Sequence, residues 1–257
     1  LIVPAEFLRR IAAAAAQETL PRFRSQGTVS NKLAAGFDPV TEADQEAERV
    51  IRELIRAEYP GHGIIGEEHG SEGAASRHQW VIDPIDGTRA FISGIPVWGT
   101  LVGLTVDGDA VAGLMSQPFT GELYYATGAG ARYEGPGGER ALTTRKTQSL
   151  SEAILFTTTP ALFKGDMRAR YDRLEAQVRL ARYGTDCYAF AMVAAGQVDV
   201  VVDPGLQSYD IVGLAPIIEQ AGGVVTRFDG GPVEQGGDVI AAATPELHAA
   251  AREILFG

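Results

Sequence analysis

Four acidic side chains stand where the sequence pattern ends a strand or starts a helix: Glu67 after Gly63-Ile64-Ile65-Gly66, Asp83 after Trp80-Val81-Ile82, Asp86 in the turn that follows, and Asp210 at a helix start. Carboxylates on strand ends and tight turns can converge from separate segments on a hard cation, and Mg²⁺ takes such oxygen ligands in a near-octahedral array. Within Asp83-Pro84-Ile85-Asp86-Gly87-Thr88, Asp83 could bridge two ions. Pro84 stiffens the turn, the Ile85 carbonyl offers a neutral ligand, and Asp86 returns to the same side. Gly87 lets backbone approach a phosphate closely, and the N–H groups of Gly87 and Thr88 at the start of a short helix suit an anion.

Taken singly, each of these residues has a plainer reading. Asp-Gly and Pro-containing tetrapeptides mark ordinary turns, but six such residues between Trp80-Val81-Ile82 and the downstream Phe91 and Pro96 are hard to assign to a turn alone. Asp44 stands three residues after Thr41, and Asp210 lies in the first turn of a helix; on spacing alone both read as acids stabilising helix N-termini. His62, His69, His78 and His248 show no zinc-ligand spacing and are expected at the surface or in loops. The glycines of residues 128–138 lack the lysine-serine ending of a P-loop, and no G-x-G-x-x-G motif follows a strand.

The elements that must carry these residues fall into two patterns, α/β overall. Residues 1–146 read as an α+β lobe: helices over residues 4–24 and 41–59, the second capped by Thr41, then strands at 63–66 and 80–82. A hairpin over 99–115 turns at Asp107-Gly108, and strands at 123–126 and 131–133 extend that sheet. Residues 147–257 alternate as an α/β lobe, with strands at 153–157, 178–183, 198–202, 224–228 and 238–242. Its helices fall at 166–177, 186–195 and 210–221, and a last one is capped by Thr244-Pro245-Glu246. The active site is expected in the cleft between the lobes.

Composition narrows the chemistry. The 257 residues are 45% hydrophobic, enough for a substantial core, and 22 basic against 33 acidic residues give a net charge of −11. No basic surface for nucleic acid is expected, and with arginines and lysines scattered, bound metal ions could supply the positive charge an anionic substrate needs. Cys187 is the only cysteine, which excludes a disulfide framework or CxxC site, predicts a free structural thiol and suggests a reducing compartment. The apolar run from Ile11 to Ala16 is too short to span a bilayer, so a cytoplasmic protein with no membrane partner is expected. The start at Leu1 rather than Met is what a trimmed N-terminus would give.

Gly66-Glu67-Glu68, the stretch from Trp80 to Thr88, and Tyr209-Asp210 with Glu219-Gln220-Ala221-Gly222-Gly223 together resemble the inositol monophosphatase family, in the same order along nearly the whole chain. The resemblance implies a layered αβαβα sandwich of the inositol monophosphatase / fructose-1,6-bisphosphatase type and a homodimer. It also implies hydrolysis of a small phosphate monoester with two to three Mg²⁺ ions, Mn²⁺ as a substitute and Li⁺ as an inhibitor. It assigns Glu67, Asp83, the Ile85 carbonyl, Asp86 and Asp210 as metal ligands and Gly87 and Thr88 as phosphate contacts. The resemblance further implies that Asp44 and Thr88 orient and activate the attacking water, with Thr88 and Glu67 holding it, and Lys32 falls near the family's upstream lysine. An aspartyl-phosphate mechanism would use Asp-x-Asp, whereas the spacing here is Asp83-x-x-Asp86. A rival of another class is a metal-binding regulatory protein without turnover.

Within the family, Gly87-Thr88-Arg89-Ala90-Phe91-Ile92-Ser93-Gly94, Trp98-Gly99-Thr100-Leu101, Tyr183-Gly184-Thr185-Asp186-Cys187-Tyr188 and Gly205-Leu206-Gln207-Ser208-Tyr209-Asp210 resemble the histidinol-phosphate phosphatase branch. Histidinol phosphate carries an amine and an imidazole, for which carboxylates are the natural partners, and Asp186 and Asp203 match substrate-pocket positions. Inositol 1-phosphate or another sugar or nucleotide monophosphate is the alternative. Asp186 also reads as a helix N-terminal acid, and Asp203 as a residue of a proline turn.

Overall fold

The computed structural model describes residues 2–25, 29–31 and 39–257. In chain order the elements are α1 (Ala5–Thr19), β1 (Val29–Asn31), β2 (Pro39–Thr41), α2 (Glu42–Glu58), β3 (Gly63–Gly66), β4 (Gly70–Glu72), β5 (His78–Asp86), α3 (Thr88–Ile92), β6 (Gly99–Val106), β7 (Asp109–Gln117), β8 (Glu122–Ala126), β9 (Ala131–Gly135) and β10 (Gly138–Ala141). The second half contains β11 (Ile154–Thr157), α4 (Gly165–Glu175), β12 (Leu180–Tyr183), α5 (Asp186–Ala194), β13 (Val200–Leu206), α6 (Ser208–Ile211), α7 (Ala215–Gln220), β14 (Val224–Arg227), β15 (Gly237–Ala242) and α8 (Pro245–Phe256). Among the described residues no helix is long and apolar enough to cross a membrane.

Alternation in the strands decides the layering, because successive side chains face opposite sides of a sheet. Eight strands form one sheet in the order β10-β9-β8-β7-β6-β5-β3-β4, and five form another in the order β12-β11-β13-β15-β14. Ile64, Trp80, Ile82, Val102 and Leu114 pack one face of the large sheet against α1 and α2. Leu101, Met115 and Tyr124 on its other face meet α5 and α7, which also cover Val201, Val239 and Ala241 of the small sheet. The far face of the small sheet, with Val200, Val202 and Ile240, packs on α4 and α8. The result is the expected αβαβα sandwich, and both helices named for its middle layer come from the second half of the chain.

Proline shapes the strand ends that matter. Sequence pattern stops a strand at Ile82, but β5 runs on to Asp86, and its register with β6 shifts: Asp83 pairs with Leu101 and Asp86 with Gly99, three residues of β5 against two of β6. Pro84 cannot donate to the ladder, and a bulge takes up the extra residue. A regular strand would turn Asp83 and Asp86 to opposite faces; the bulge brings them together. Strand β13 repeats the device. Expected to end at Val202, it passes through Asp203-Pro204 to Leu206, and Asp203 pairs with Val239 while Leu206 pairs with Gly237.

Other boundaries moved for local reasons. Helix α1 stops at Thr19: Leu20 still keeps helical dihedrals and donates to the Ala16 carbonyl, and Pro21, which has no N–H, cannot carry the ladder on. The single helix expected over 210–221 is two, α6 and α7, broken around Gly213. The Asp107-Gly108 turn has both central residues at positive φ, 54° and 98°, as a type I′ hairpin requires.

The break at Gly213 is a docking point. Gly103 and Gly113 are cross-strand partners on β6 and β7. A Cβ on Gly103 would lie 2.5 Å from the Val212 carbonyl oxygen, and one on Gly113 would lie 2.2 Å from that of Gly213. Backbone therefore rests directly on sheet, and this contact holds the chain just after α6 against β6 and β7, beside the β5 strand that carries Asp83. Gly113→Ala should cost about 1–3 kcal/mol of unfolding free energy in urea titrations. Gly61→Ala, with nothing within 4 Å of its Cβ, should stay within about 0.5 kcal/mol of wild type. Equal stability of the two variants would remove the docking role.

Candidate metal centre

Three segments bring carboxylates together: the β5 bulge carries Asp83 and Asp86, the β3–β4 turn carries Glu67, and α6 carries Asp210. Ligand oxygens of Asp83, Asp86 and Asp210 all lie within 4.8 Å of one another, and the charge of Glu67 acts on Asp83 and Asp210. Each aspartate is fixed by one backbone N–H. Ile85 N donates to Asp83 Oδ1 at 3.0 Å, Cys187 N to Asp86 Oδ2 at 2.7 Å, and Gln207 N to Asp210 Oδ2 at 2.7 Å. Gln207 and Asp210 form a capping box on α6, so the helix-terminal reading of Asp210 holds alongside its place in the cluster.

Burial and like charge act together on this group. Asp83 is 2% exposed, and its carboxyl is pushed well above the usual carboxylate range, first by desolvation and then by the charges of Glu67, Asp86 and Asp210. Asp86 rises for the same reason, with Asp210 and Asp186 as its neighbours. Asp210 is raised to about 7 by burial, against the pull of the Gln207 N–H. The charges acting on these carboxyls are themselves carboxylates, that of Glu67 among them. A hard divalent cation fits this donor set, because it would offset the mutual repulsion and desolvation that raise these carboxyls.

The remaining predicted residues surround the cluster. Thr88 opens α3, and its Oγ1 donates to the Ile85 carbonyl at 3.1 Å, which ties two of the predicted groups to each other. Gly87 takes φ 81°, a left-handed conformation that glycine adopts without steric cost. Asp44 sits in a capping box with Thr41: its Oδ2 accepts from Thr41 N at 2.8 Å and from Thr41 Oγ1 at 2.5 Å. Its carboxyl is nevertheless raised to about 6, by burial first, with the Glu67 charge adding to the rise. The helix-terminal role read from spacing is real, and it leaves Asp44 under the influence of Glu67. Lys32 lies outside the described residues.

Beside the cluster is a cavity of about 250 Å³, lined by Asp86, Asp186, Asp203 and Asp210 and by the apolar Leu162 and Phe190. Asp186 has φ 44°, and its carboxylate lies against Gly87, where a Cβ would come 3.0 Å from Oδ2. Burial raises Asp186, and the positive charge of Arg89 works against that rise. Asp203, on the second bulge, accepts from Thr157 Oγ1, Thr158 N and Thr158 Oγ1, and burial raises it to about 6.

Sequence reading missed two features here. Cys187, foreseen as a free structural thiol and found free and buried, serves the site through its backbone N–H to Asp86, a contact no side-chain pattern encodes. His248, expected at the surface or in a loop, is buried on α8, bonded to Thr226 Oγ1 at 2.8 Å. His62 packs between Tyr59 and His78 and bonds Trp80 Nε1 through Nδ1, away from the acidic cluster.

A carboxyl whose pKa is higher folded than unfolded makes the folded state bind more protons, so it destabilises the protein increasingly as pH rises from its unfolded value toward its folded one. For Asp210 that window runs from an ordinary 3.8 to about 7. In metal-free protein the thermal midpoint of Asp210→Asn relative to wild type should therefore rise by a few degrees between about pH 5 and pH 7. Parallel pH profiles for the two proteins would show that Asp210 titrates normally.

Comparison with known proteins gives this site its family. The chain matches the inositol monophosphatase family over residues 4–255. It is 39% identical over 230 residues to the bifunctional phosphatase IMPL2, chloroplastic, of Arabidopsis thaliana, a match spanning 85% of this chain and 66% of that protein. It is 36% identical over 193 residues to the histidinol-phosphatase of Chlorobaculum parvum, spanning 75% of this chain and 73% of the other. Its structure superposes on an inositol monophosphatase from Zymomonas mobilis with a TM-score of 0.85 at 35% identity, covering 97% of this chain and 96% of that one. With this match over nearly its whole length and an acidic cluster suited to a cation, the chain belongs to the inositol monophosphatase family of metal-dependent phosphomonoester hydrolases.

Proposed function

We propose that this protein hydrolyses L-histidinol phosphate to L-histidinol and phosphate with Mg²⁺. The observation that carries the substrate choice is the acidic lining of the cavity beside the metal centre, where Asp186 and Asp203 join Asp86 and Asp210. A leaving group with an amine and an imidazole finds charge-assisted partners there, and Leu162 and Phe190 offer apolar surface to the ring. Inositol brings hydroxyls alone. The histidinol-phosphatase relative supports this reading, and the inositol monophosphatase likeness supports the alternative, inositol 1-phosphate.

In this reading Glu67, Asp83, the Ile85 carbonyl, Asp86 and Asp210 hold two to three Mg²⁺ ions, which when bound acidify water and offset phosphate charge. Gly87 and Thr88 present backbone N–H groups to the phosphate. Glu67, Asp44 and the Thr88 hydroxyl orient the attacking water, with the raised Asp44 carboxyl suited to hold a proton near neutral pH. Asp186 and Asp203 orient the leaving group so that attack is in line.

Phosphate release from histidinol phosphate, inositol 1-phosphate, fructose 1,6-bisphosphate and 3′-phosphoadenosine 5′-phosphate, with Mg²⁺ or with chelator, tests the proposal. Histidinol phosphate should be turned over with the highest kcat/KM, and chelator should abolish turnover. Asp83→Asn should remove activity while the protein stays folded. Asp186→Ala should raise KM for histidinol phosphate roughly 10-fold or more and leave that for inositol 1-phosphate nearly unchanged. A wild-type preference for inositol 1-phosphate would sink the histidinol reading.

A further inference from the structure

Two fully buried charged residues have no part in the chemistry above: Glu48, 0% exposed, and Arg52, 3% exposed, one turn apart on α2. Burying an ion pair carries a large desolvation cost, so their other contacts are informative. Arg52 Nε donates to Glu48 Oε1 at 2.7 Å. Glu48 Oε2 accepts from Glu68 N at 2.7 Å, and Oε1 also accepts from His69 N at 3.1 Å. Arg52 Nη2 donates to the Gly70 carbonyl, and the His69 ring bonds the Gln45 carbonyl at 3.0 Å. Residues 67–69 are the whole turn between β3 and β4. The tip that begins with Glu67 is therefore laid on α2 and tied there at four points. Gly66 completes the fit, since a Cβ there would lie 2.0 Å from Glu48 Oε1.

One turn before Glu48, the same helix carries Asp44, on which the Glu67 charge acts. Asp44, Glu48 and Arg52 thus form a single stripe at four-residue spacing. We propose that Glu48, locked by Arg52, is a positioning residue: by accepting the N–H groups of Glu68 and His69 it sets where Glu67 stands relative to Asp44 and Asp83. The inference rests on the reading of Glu67 as a metal ligand. A carboxylate is needed because both of its oxygens accept from the turn. A glutamine would turn an NH₂ group toward one of the two backbone N–H donors.

Mg²⁺ affinity by calorimetry, hydrogen exchange at the Glu68 and His69 amides, and kcat and KM are measured for wild type, Glu48→Gln, Arg52→Lys and Glu67→Gln, at a temperature where each unfolds cooperatively well above the assay. Glu48→Gln should weaken Mg²⁺ binding by about 10–100-fold and lower kcat comparably with little change in KM. The two amides should lose protection. Arg52→Lys keeps the buried charge but loses the fork that reaches Gly70, and should show a smaller effect of the same kind; it carries the test if Glu48→Gln fails to fold. A merely structural pair would lower the thermal midpoint and leave Mg²⁺ affinity and amide protection as in wild type, and that result overturns the proposal. If Glu67→Gln binds Mg²⁺ normally, the ligand reading is what fails. If Glu67→Gln weakens binding while folded Glu48→Gln and Arg52→Lys do not, the positioning role alone fails.

Discussion

Carboxylates repel one another, and this fold gathers Glu67, Asp86 and Asp210, each partly exposed, around the buried Asp83. Nearly every local feature around them serves to hold like charges where free side chains would move apart. Two proline bulges aim the strand ends, a backbone N–H grips each aspartate, and a pair of cross-strand glycines lets the chain just after α6 rest on the sheet. The gripping N–H groups each occupy one oxygen of a carboxyl. Acidic residues packed this way bind a proton or a cation, and near neutral pH the choice between the two depends on metal supply.

The sequence was legible wherever chemistry and spacing were contiguous. Asp83 to Thr88 could be read as a unit because six residues with separate plain explanations make a poor coincidence; strand–helix alternation gave an α+β and an α/β region, and the layered sandwich came from the family resemblance. What escaped was what depends on contacts between distant segments. Pro84 and Pro204 look like strand terminators, and only the facing strands β6 and β15 reveal that the ladder resumes beyond them. The break between α6 and α7 has one local signal, Gly213, and its cause lies on β6 and β7. Glu48 and Arg52 fit an i, i+4 pair on a solvated helix face, and nothing in their spacing says that the β3–β4 turn covers them. Asp44 shows the opposite lesson: the plain capping role read from spacing and its position under the Glu67 charge coexist in one carboxyl.

Each region of sequence has a cluster of its own, and a third cluster joins them. Leu101, Met115 and Tyr124 of the large sheet share one cluster with Phe190, Val193 and Ile217 of the middle helices and Val201 and Val239 of the small sheet. The metal centre lies across this shared layer, drawing Asp83 and Asp86 from one sheet and Asp210 from the helices that join it to the other. Displacing the middle layer would therefore disperse the acidic cluster as well.

That shared layer also imposes an order on synthesis. All eight strands of the large sheet lie within residues 63–141, whereas α5 and α7, which cover its inner face, span residues 186–220. A nascent chain thus carries a finished strand set with one apolar side uncovered for the time needed to add some dozens of residues, a few seconds at ordinary elongation rates. Until α5 emerges, that face is a surface for chaperones or for collapse onto itself. The acidic cluster, which needs Asp210, is among the last parts of the molecule to be assembled.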